Sequence, residues 1–471
     1  MVELYLGDNS KESLKLKSNI NASVGTVGRF NADPSIDLDI VSLARLVYPL
    51  NMLSSGSNTT KADKAVAMSN GLYFGKNFKP EHFIELVKQN PAALLHVNSD
   101  LAEIEKKYAA VIKKRKPLPI NNAAIQRYID KKVFQRGSLI GKWQPYFNAD
   151  IGQKTDEIRQ ELASRYDIDP SKISKESIAI AEISVESKSE LLEIVDIFNI
   201  QQEISNTEKL VGRSEYTYSF IPFGSVSGRS TTFSGNIHGM TKEQFGIFSK
   251  KNYGQRLVSI DFSQIELRLA ASLWGDFAMQ DVFNRGGDIH QNTARLIGSR
   301  DRQLAKAINF GLLYGMGLNS FIVYCAKDFG IILTTEEAKK YISEFKRSYP
   351  SLFDSKMTEF NGISYHTKTF GREMHAQEVW AGVYDFKKFT TSRNIQIQGE
   401  GADILKSSTI WMDQRLKGIG SVAFEMYDET AFWIDDTHDI EVHLNSISDE
   451  LTQYIKEISG FTIPVEISDR F

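Results

Sequence analysis

The chain has one cysteine, Cys325, among its 471 residues. A single thiol closes no intramolecular disulfide and builds no cysteine metal centre, and such usage fits a reducing compartment. Long apolar runs are missing too: no stretch of about 18 hydrophobic residues occurs, so nothing reads as a membrane-spanning helix. The opening MVELYLGDNSKES has the character of neither a secretory signal nor a transit peptide. These absences point to the cytoplasm and away from a membrane partner. Internal repeats and low-complexity tracts are absent. So is any strong excess of one charge: 56 Lys and Arg stand against 59 Asp and Glu, a net −3. That balance neither supports nor refutes nucleic-acid binding, because a binder can cluster its cations on one face. What remains is an ordinary globular composition, 41% hydrophobic and 24% charged, in a chain long enough for roughly two to four domains.

Two stretches stand out, with a third short piece. In Arg256–Trp274 (RLVSIDFSQIELRLAASLW), Leu257, Val258 and Ile260 form an apolar run that predicts a buried strand. Asp261 lies at its end, where a lone charge needs a partner. Ser263 is placed to cap the following helix, with Glu266 three residues on as in a capping box. Alone, this is a capped helix after a strand. In Arg302–Gly315 (RQLAKAINFGLLYG), Arg302, Lys306, Phe310 and Tyr314 recur every four residues. On a helix they share one slowly drifting stripe of two cations followed by two rings. A polyphosphate can lie along the cations while a base stacks on the rings. Gly311 and Gly315 would let a flat ligand or another backbone come close. Alone, this too is an amphipathic helix, with Ala305, Ile308 and Leu312 inward. The third piece is a hairpin. Val422, Phe424 and Met426 alternate with Ser421, Ala423 and Glu425, and Tyr427–Glu429 turns into a second strand. Adjacent strand residues face opposite ways, so Asp428 is the expected metal ligand and Glu429 a nearby support.

DFSQIELR at Asp261–Arg268, RQLAKAINFGLLYG at Arg302–Gly315 and YDE at Tyr427–Glu429 resemble, in the right order, the three polymerase motifs of family A DNA polymerases. GRSTTFSGNIHG at Gly228–Gly239 is similar to the family's segment before the first motif, and TTSRNIQIQGEGADILK at Thr390–Lys406 to the helix before the third. The likeness runs from about Glu208 to the C-terminus. It implies an α+β right-hand fold, with an antiparallel-sheet palm and helical fingers and thumb. The expected domains are 1–116, a partial 3′–5′ exonuclease-like remnant; 117–224, thumb; 225–275, first part of the palm; 276–349, fingers; and 350–471, the rest of the palm. Asn51–Lys64 reads as a loop, Asp39–Tyr48 and Asp100–Ile112 as helices, and HVNSD at His96–Asp100 as the segment of the exonuclease's last metal-binding Asp. No Asp-x-Glu pair opens the chain, and one Asp cannot hold two metals. An inactive remnant, or one half of a split protein, is expected, with an unrelated helical domain as the alternative.

The resemblance further implies template-directed DNA synthesis. Asp261, Phe262 and Asp428 would hold two Mg²⁺ ions, with Glu429 beside them. Arg302 and Lys306 would neutralise phosphates, and Lys306 would donate a proton to pyrophosphate. Phe310, Tyr314, Gln264 and His290, the last in DIH at Asp288–His290, would complete the nucleotide site. Glu266 would crowd the 2′ position against ribonucleotides. Arg229 would sense base pairing in the minor groove, where acceptors sit alike for every correct pair. Asn236, Asn394, Gln398 and Tyr427 would also meet DNA. Three departures stand out: His238 and Gly239 differ from the pattern, Tyr427 replaces the usual His, and Thr390 replaces an Arg whose role is either lost or moved to Arg393. Arg372, in FGREMH, matches a basic loop on the template side. Partners would be primer–template DNA, dNTPs, and a separate exonuclease or processivity subunit. Trimmed fingers and absent proofreading suggest a phage or mobile-element enzyme working in bacterial cytoplasm. Rival readings are a single-subunit RNA polymerase and a catalytically dead DNA-binding scaffold.

Overall fold

The computed structural model describes residues 99–468 apart from 154, 223–224, 226, 253, 355–363, 376–384 and 438, together with one parallel pair, Leu4–Tyr5 with Leu38–Asp39. The expectations resting on residues 40–48, 51–64 and 96–98 lie outside that range.

An antiparallel sheet lies between two cores. Its long strands are β1 (Gln255–Phe262), β2 (Gly420–Met426), β3 (Glu429–Asp435) and β4 (Val465–Ser468), in the order β2-β3-β1-β4. β4 is an edge strand beginning just after Pro464, as a residue without a backbone donor requires. Both faces of the sheet are covered. Val258, Ile260, Phe262, Phe432 and Ile434 face one core, shared with the long helices, while Leu257, Ala431 and Trp433 face a second core that includes Phe220, Ile237 and Phe245. Period-two alternation divides the strands this way, and it puts Ser259, Asp261 and Glu429 on the second face.

The helices are α1 (Ser99–Lys113), α2 (Asn122–Trp143), α3 (Asp156–Tyr166), α4 (Lys175–Ile180), α5 (Val185–Glu208), α6 (Ile265–Leu273), α7 (Phe277–Asn284), α8 (Ile289–Leu296), α9 (Arg302–Leu313), α10 (Leu318–Phe329), α11 (Thr335–Ser348), α12 (Asp385–Arg415) and α13 (Ile440–Ser459). Helices α2–α5 build a core of their own around Trp143, Phe147, Leu162, Leu191 and Ile194. Ser184 caps α5, its hydroxyl accepting from the Ser187 amide at 3.0 Å. Thr334 caps α11 in a full capping box with Glu337, as the sequence suggests. Among the described residues no helix is long and apolar enough to cross a membrane.

Helix α1 docks on α12 through buried charge. Glu105 receives Arg372 at 2.8 Å and Lys406 at 2.7 Å, Arg372 also binds Asp403 at 2.7 Å, and all four side chains are buried. Next to them, Arg115 pairs with Glu425 of β2 at 3.0 Å, and Tyr108 donates to the same carboxylate. Arg372 is therefore a bridge between elements, which corrects its reading as a cation on a template-facing loop.

Candidate active site

Strand β1 delivers Asp261 to the middle of the sheet end. Across the ladder it pairs with Glu429 of β3 on one side and Glu466 of β4 on the other. The β2–β3 hairpin closes through Tyr427–Asp428, with Met426 opposite Glu429. The Phe262 amide donates to the Asp428 carbonyl at 2.9 Å, so the turn is tied to the strand that carries Asp261. Two carboxylates far apart in the chain thus arrive at adjoining positions. Glu429 turns inward instead, accepting from the buried Ser259 hydroxyl at 2.5 Å.

The expected capping box does not form. The N-cap of α6 is Gln264, held at φ 51°, with no side-chain cap. The backbone there is set by tertiary bonds, the Ser263 amide donating to the Pro464 carbonyl at 2.9 Å. Released from capping, Glu266 becomes a node. Its Oε1 accepts from Arg229 at 3.0 Å and from Gln398 of α12 at 2.7 Å. The same Gln398 amide donates to the Tyr314 hydroxyl at 2.8 Å. Four residues singled out separately in the sequence therefore form one hydrogen-bonded group. Burial, then the Glu266 charge, pushes the Tyr314 phenol well above its ordinary range. Burial, then the carboxylates of Glu266 and Glu429, also raises the proton affinity of Asp428, against the pull of Arg229. The carboxylate end of the sheet and the C-terminal end of α9 thus share an electrostatic neighbour.

Helix α9 begins at an Asp301 N-cap and runs from Arg302 to Leu313, with Tyr314 as its C-cap. Leu304, Ala305, Ala307, Ile308, Leu312 and Leu313 are buried, while Arg302, Lys306, Phe310 and Tyr314 keep partial or full exposure on the remaining face. Arg302 Nε binds Asp288 at 2.7 Å, whereas Lys306 has no carboxylate partner among the described residues. Gly311 serves packing rather than a ligand: a Cβ there would meet the rings of Tyr324 and Phe321 of α10 at 3.1–3.2 Å.

His290 of α8 is buried beneath this stripe, its ring 5.6 Å from that of Phe310. Asn309 donates to its Nδ1 at 2.8 Å, and Thr293 donates to Asn309 at 2.9 Å. Burial, reinforced by the charges of Arg302 and Lys306, lowers its pKa to about 4. Asn309 had gone unnoticed in the sequence, where a polar residue on the apolar face of α9 was the available signal. Asn394 lies one turn before Gln398 on α12, half-buried. Arg393, next to it, is wholly buried. It donates to the Leu313 carbonyl at 3.0 Å and to that of Leu352, with its guanidinium 4.5 Å from the Trp274 ring. It satisfies an orphan carbonyl at the end of α9. Asn236 is exposed in the turn that precedes Gly239, and Tyr427 is exposed at the hairpin tip.

Residues 236–468 match the family model described as DNA polymerase family A. DNA polymerase I of Aquifex aeolicus is 31% identical over 250 residues, 50% of this chain and 42% of that protein. DNA polymerase I of Helicobacter pylori strain J99 is 30% identical over 271 residues, 53% of this chain and 28% of that protein. The chain therefore spans less than half the length of these relatives. Among solved structures, the POL domain of Pol1 from M. smegmatis, in complex with DNA primer-template and dNTP, superposes with a TM-score of 0.63 at 16% identity, covering 91% of this chain and 80% of that one. At that identity the likeness shows a common fold, the α+β right hand.

Proposed function

From a chain that belongs to DNA polymerase family A through residues 236–468, we propose template-directed extension of a primer 3′-OH with deoxynucleoside triphosphates. The observation that carries this reading is the meeting of Asp261 with the Asp428 turn, joined through the Phe262–Asp428 backbone bond. Glu266 links that meeting to helix α9 through Gln398 and Tyr314. The sheet would form the palm, α2–α5 the thumb, and α7–α11 the fingers.

Two Mg²⁺ ions are the proposed cofactor, and the donor set fits. Asp261 and Asp428 supply hard carboxylate oxygens, and Phe262 has only its backbone carbonyl to give. The raised proton affinity of Asp428 is the imbalance that a neighbouring cation offsets. Among the described residues no three His, Cys, Asp or Glu side chains gather as a metal-holding group. Two carboxylates suit an ion that keeps waters and substrate phosphates in its shell. Bound there, the ions would acidify the primer hydroxyl and neutralise the leaving pyrophosphate.

The chain's own residues do the rest. Arg302 and Lys306 would lie along the triphosphate, and Lys306, which has no carboxylate partner among the described residues, would supply a proton to the leaving group. Asp288 holds Arg302 in the free protein and would share it with phosphate. Phe310 would stack against sugar and base, and His290 would offer a neutral Nε2–H to a phosphate oxygen. Glu266, fixed by Arg229 and Gln398, would stand where a 2′-hydroxyl would have to go. Primer–template DNA is the expected partner, its backbone gripped without regard to sequence. Absence of proofreading belongs to the same proposal.

Primer extension with a 5′-labelled primer and Mg²⁺ tests these points in one tube. Elongation with dNTPs and no shortening is expected, and Asp261→Ala and Asp428→Ala should abolish elongation. Preferential use of ribonucleotides would favour an RNA polymerase instead, and full activity of Asp261→Ala would mean that the site is not catalytic.

A further inference from the structure

Two positions where this chain departs from the family pattern, 238 and 427, touch each other. The Tyr427 hydroxyl donates to the His238 carbonyl at 2.7 Å, and the two rings lie 6.0 Å apart at 31°. His238 Nε2 lies 3.1 Å from the Glu425 carbonyl. A carbonyl only accepts, so Nε2 carries the hydrogen and donates it. On its other side His238 packs against Phe220, centroids 5.0 Å apart, and Phe220 continues to Tyr218, whose hydroxyl donates to the Ala423 carbonyl at 2.7 Å. Strand β2 is thus held at Ala423 and Glu425, and its turn at Tyr427, all from one aromatic row.

The turn needs holding. Tyr427 sits at φ 58°, a left-handed conformation in which Cβ crowds the following carbonyl and which bulky residues rarely keep unaided. The next residue is Asp428. Its carbonyl is bound from the inner side by the Phe262 amide at 2.9 Å. On the other side of the turn, Tyr427 is tied to the His238 carbonyl, and His238 in turn to the Glu425 carbonyl.

We propose that His238 and Tyr427 form a clamp that fixes the Asp428 turn, making Tyr427 a positioning residue for the catalytic carboxylate and not a hydrogen-bond donor to the primer. A phenol has one hydrogen, and the His238 carbonyl takes it. The inference rests on the polymerase reading for its consequence in catalysis. Its structural half stands without that reading.

The test is Tyr427→Phe, which keeps the ring and removes the donor. In metal-free protein, hydrogen–deuterium exchange at the amides of Phe262, Asp428 and Glu429 should quicken by several-fold and up to about tenfold, the scale of one neutral hydrogen bond. Exchange in α2–α5 should not change. In extension assays the Mg²⁺ concentration for half-maximal rate should rise and turnover should fall. Primer–template affinity, read by fluorescence anisotropy without metal, should stay within about twofold, since no phosphate or base contact is removed. His238→Ala keeps the carbonyl that receives Tyr427 but removes the Nε2–H bond to Glu425 and the ring packing, and it should quicken exchange at the same amides. Unchanged exchange overturns the clamp. If unchanged exchange accompanies weakened primer–template binding, Tyr427 is a primer contact instead. A wild-type chain that extends no primer refutes the functional reading, while exchange still decides the clamp.

Discussion

His290 should stay neutral far below the pH at which a free imidazole titrates. Its ring is 3% exposed. The Asn309 amide faces Nδ1 with its N–H, because Thr293 occupies the Asn309 oxygen. The first proton therefore resides on Nε2, and a second would have to enter at Nδ1 against that N–H. Burial is the largest cause of the shift, and the cations of α9 add to it, while Asp288 opposes them. The pKa moves from 6.5 to about 4. The unfolded chain, with an ordinary imidazole, then binds the proton first as pH falls. Stability from this site is complete above about pH 6.5, declines between there and pH 4, and falls no further below that. At about 1.4 kcal/mol per pH unit the loss is about 3 kcal/mol.

Two measurements check it. With the eight histidines labelled in their rings, one imidazole should show no protonation down to about pH 5, and His290→Gln should remove that signal. In equilibrium unfolding, the stability gap between wild type and His290→Gln should narrow by about 2–3 kcal/mol from pH 7 to pH 4.5. A His290 resonance titrating between pH 6 and 7 would refute the reasoning. If His290 serves the nucleotide site as proposed, the pH–rate profile should show no His290 limb between pH 5.5 and 8, since its imidazole stays neutral throughout that range.

Glu105→Gln should lower stability by about 3–5 kcal/mol, because Arg372 would keep its charge in a buried site stripped of one carboxylate, and Lys406, whose pKa burial already lowers to about 8, would be driven toward its neutral form. Calorimetry would show a melting temperature lower by at least about 5 °C, and an unchanged one would contradict the buried network. Lys306→Met should cut turnover about 100-fold or more, with little effect on primer–template affinity, and wild-type turnover would remove Lys306 from the phosphate site. Glu266→Ala should raise ribonucleotide use relative to deoxynucleotides roughly tenfold or more in competition assays, and an unaltered ratio would move the sugar discrimination elsewhere.

Much of this was legible in the sequence, for reasons that differ between residues. The β1 strand and the stripe on α9 follow from local pattern: Leu257, Val258 and Ile260 form a short apolar run, and the buried Leu304, Ala305, Ile308 and Leu312 leave Arg302, Lys306 and Phe310 on the free face. Thr334 and Glu337 cap α11 as a local motif should. Ser263 and Glu266 have the same spacing and do not cap, because the chain there is held by Pro464, just before β4, and by the Asp428 turn. Spacing predicts a cap only where no strand competes for the backbone.

Charged residues were the least legible, and Arg372, Arg393 and Glu266 show why. Any of 56 cations could in principle meet any of 59 anions, and a pair such as Arg372 with Glu105 is separated by 267 positions. Arg393 lies beside Asn394 in the chain, yet successive helical residues point about 100° apart. Its guanidinium ends on the Leu313 carbonyl, not beside its neighbour's amide. The open question of whether a lost Arg at 390 had moved to 393 thus receives a structural answer: Arg393 anchors the end of α9 to α12. Gln398, five residues further along α12, binds the next residue of that same end, Tyr314. The C-terminal end of α9 is therefore held to α12 at two successive residues, while its N-terminal cation Arg302 is held by one exposed pair with Asp288. An exposed ion pair is weak, whereas breaking a buried hydrogen bond leaves a desolvated group unsatisfied. Movement of α9 toward a bound triphosphate should for that reason pivot about Leu313–Tyr314, carrying Arg302 and Lys306 the furthest and leaving the Glu266 group where it is.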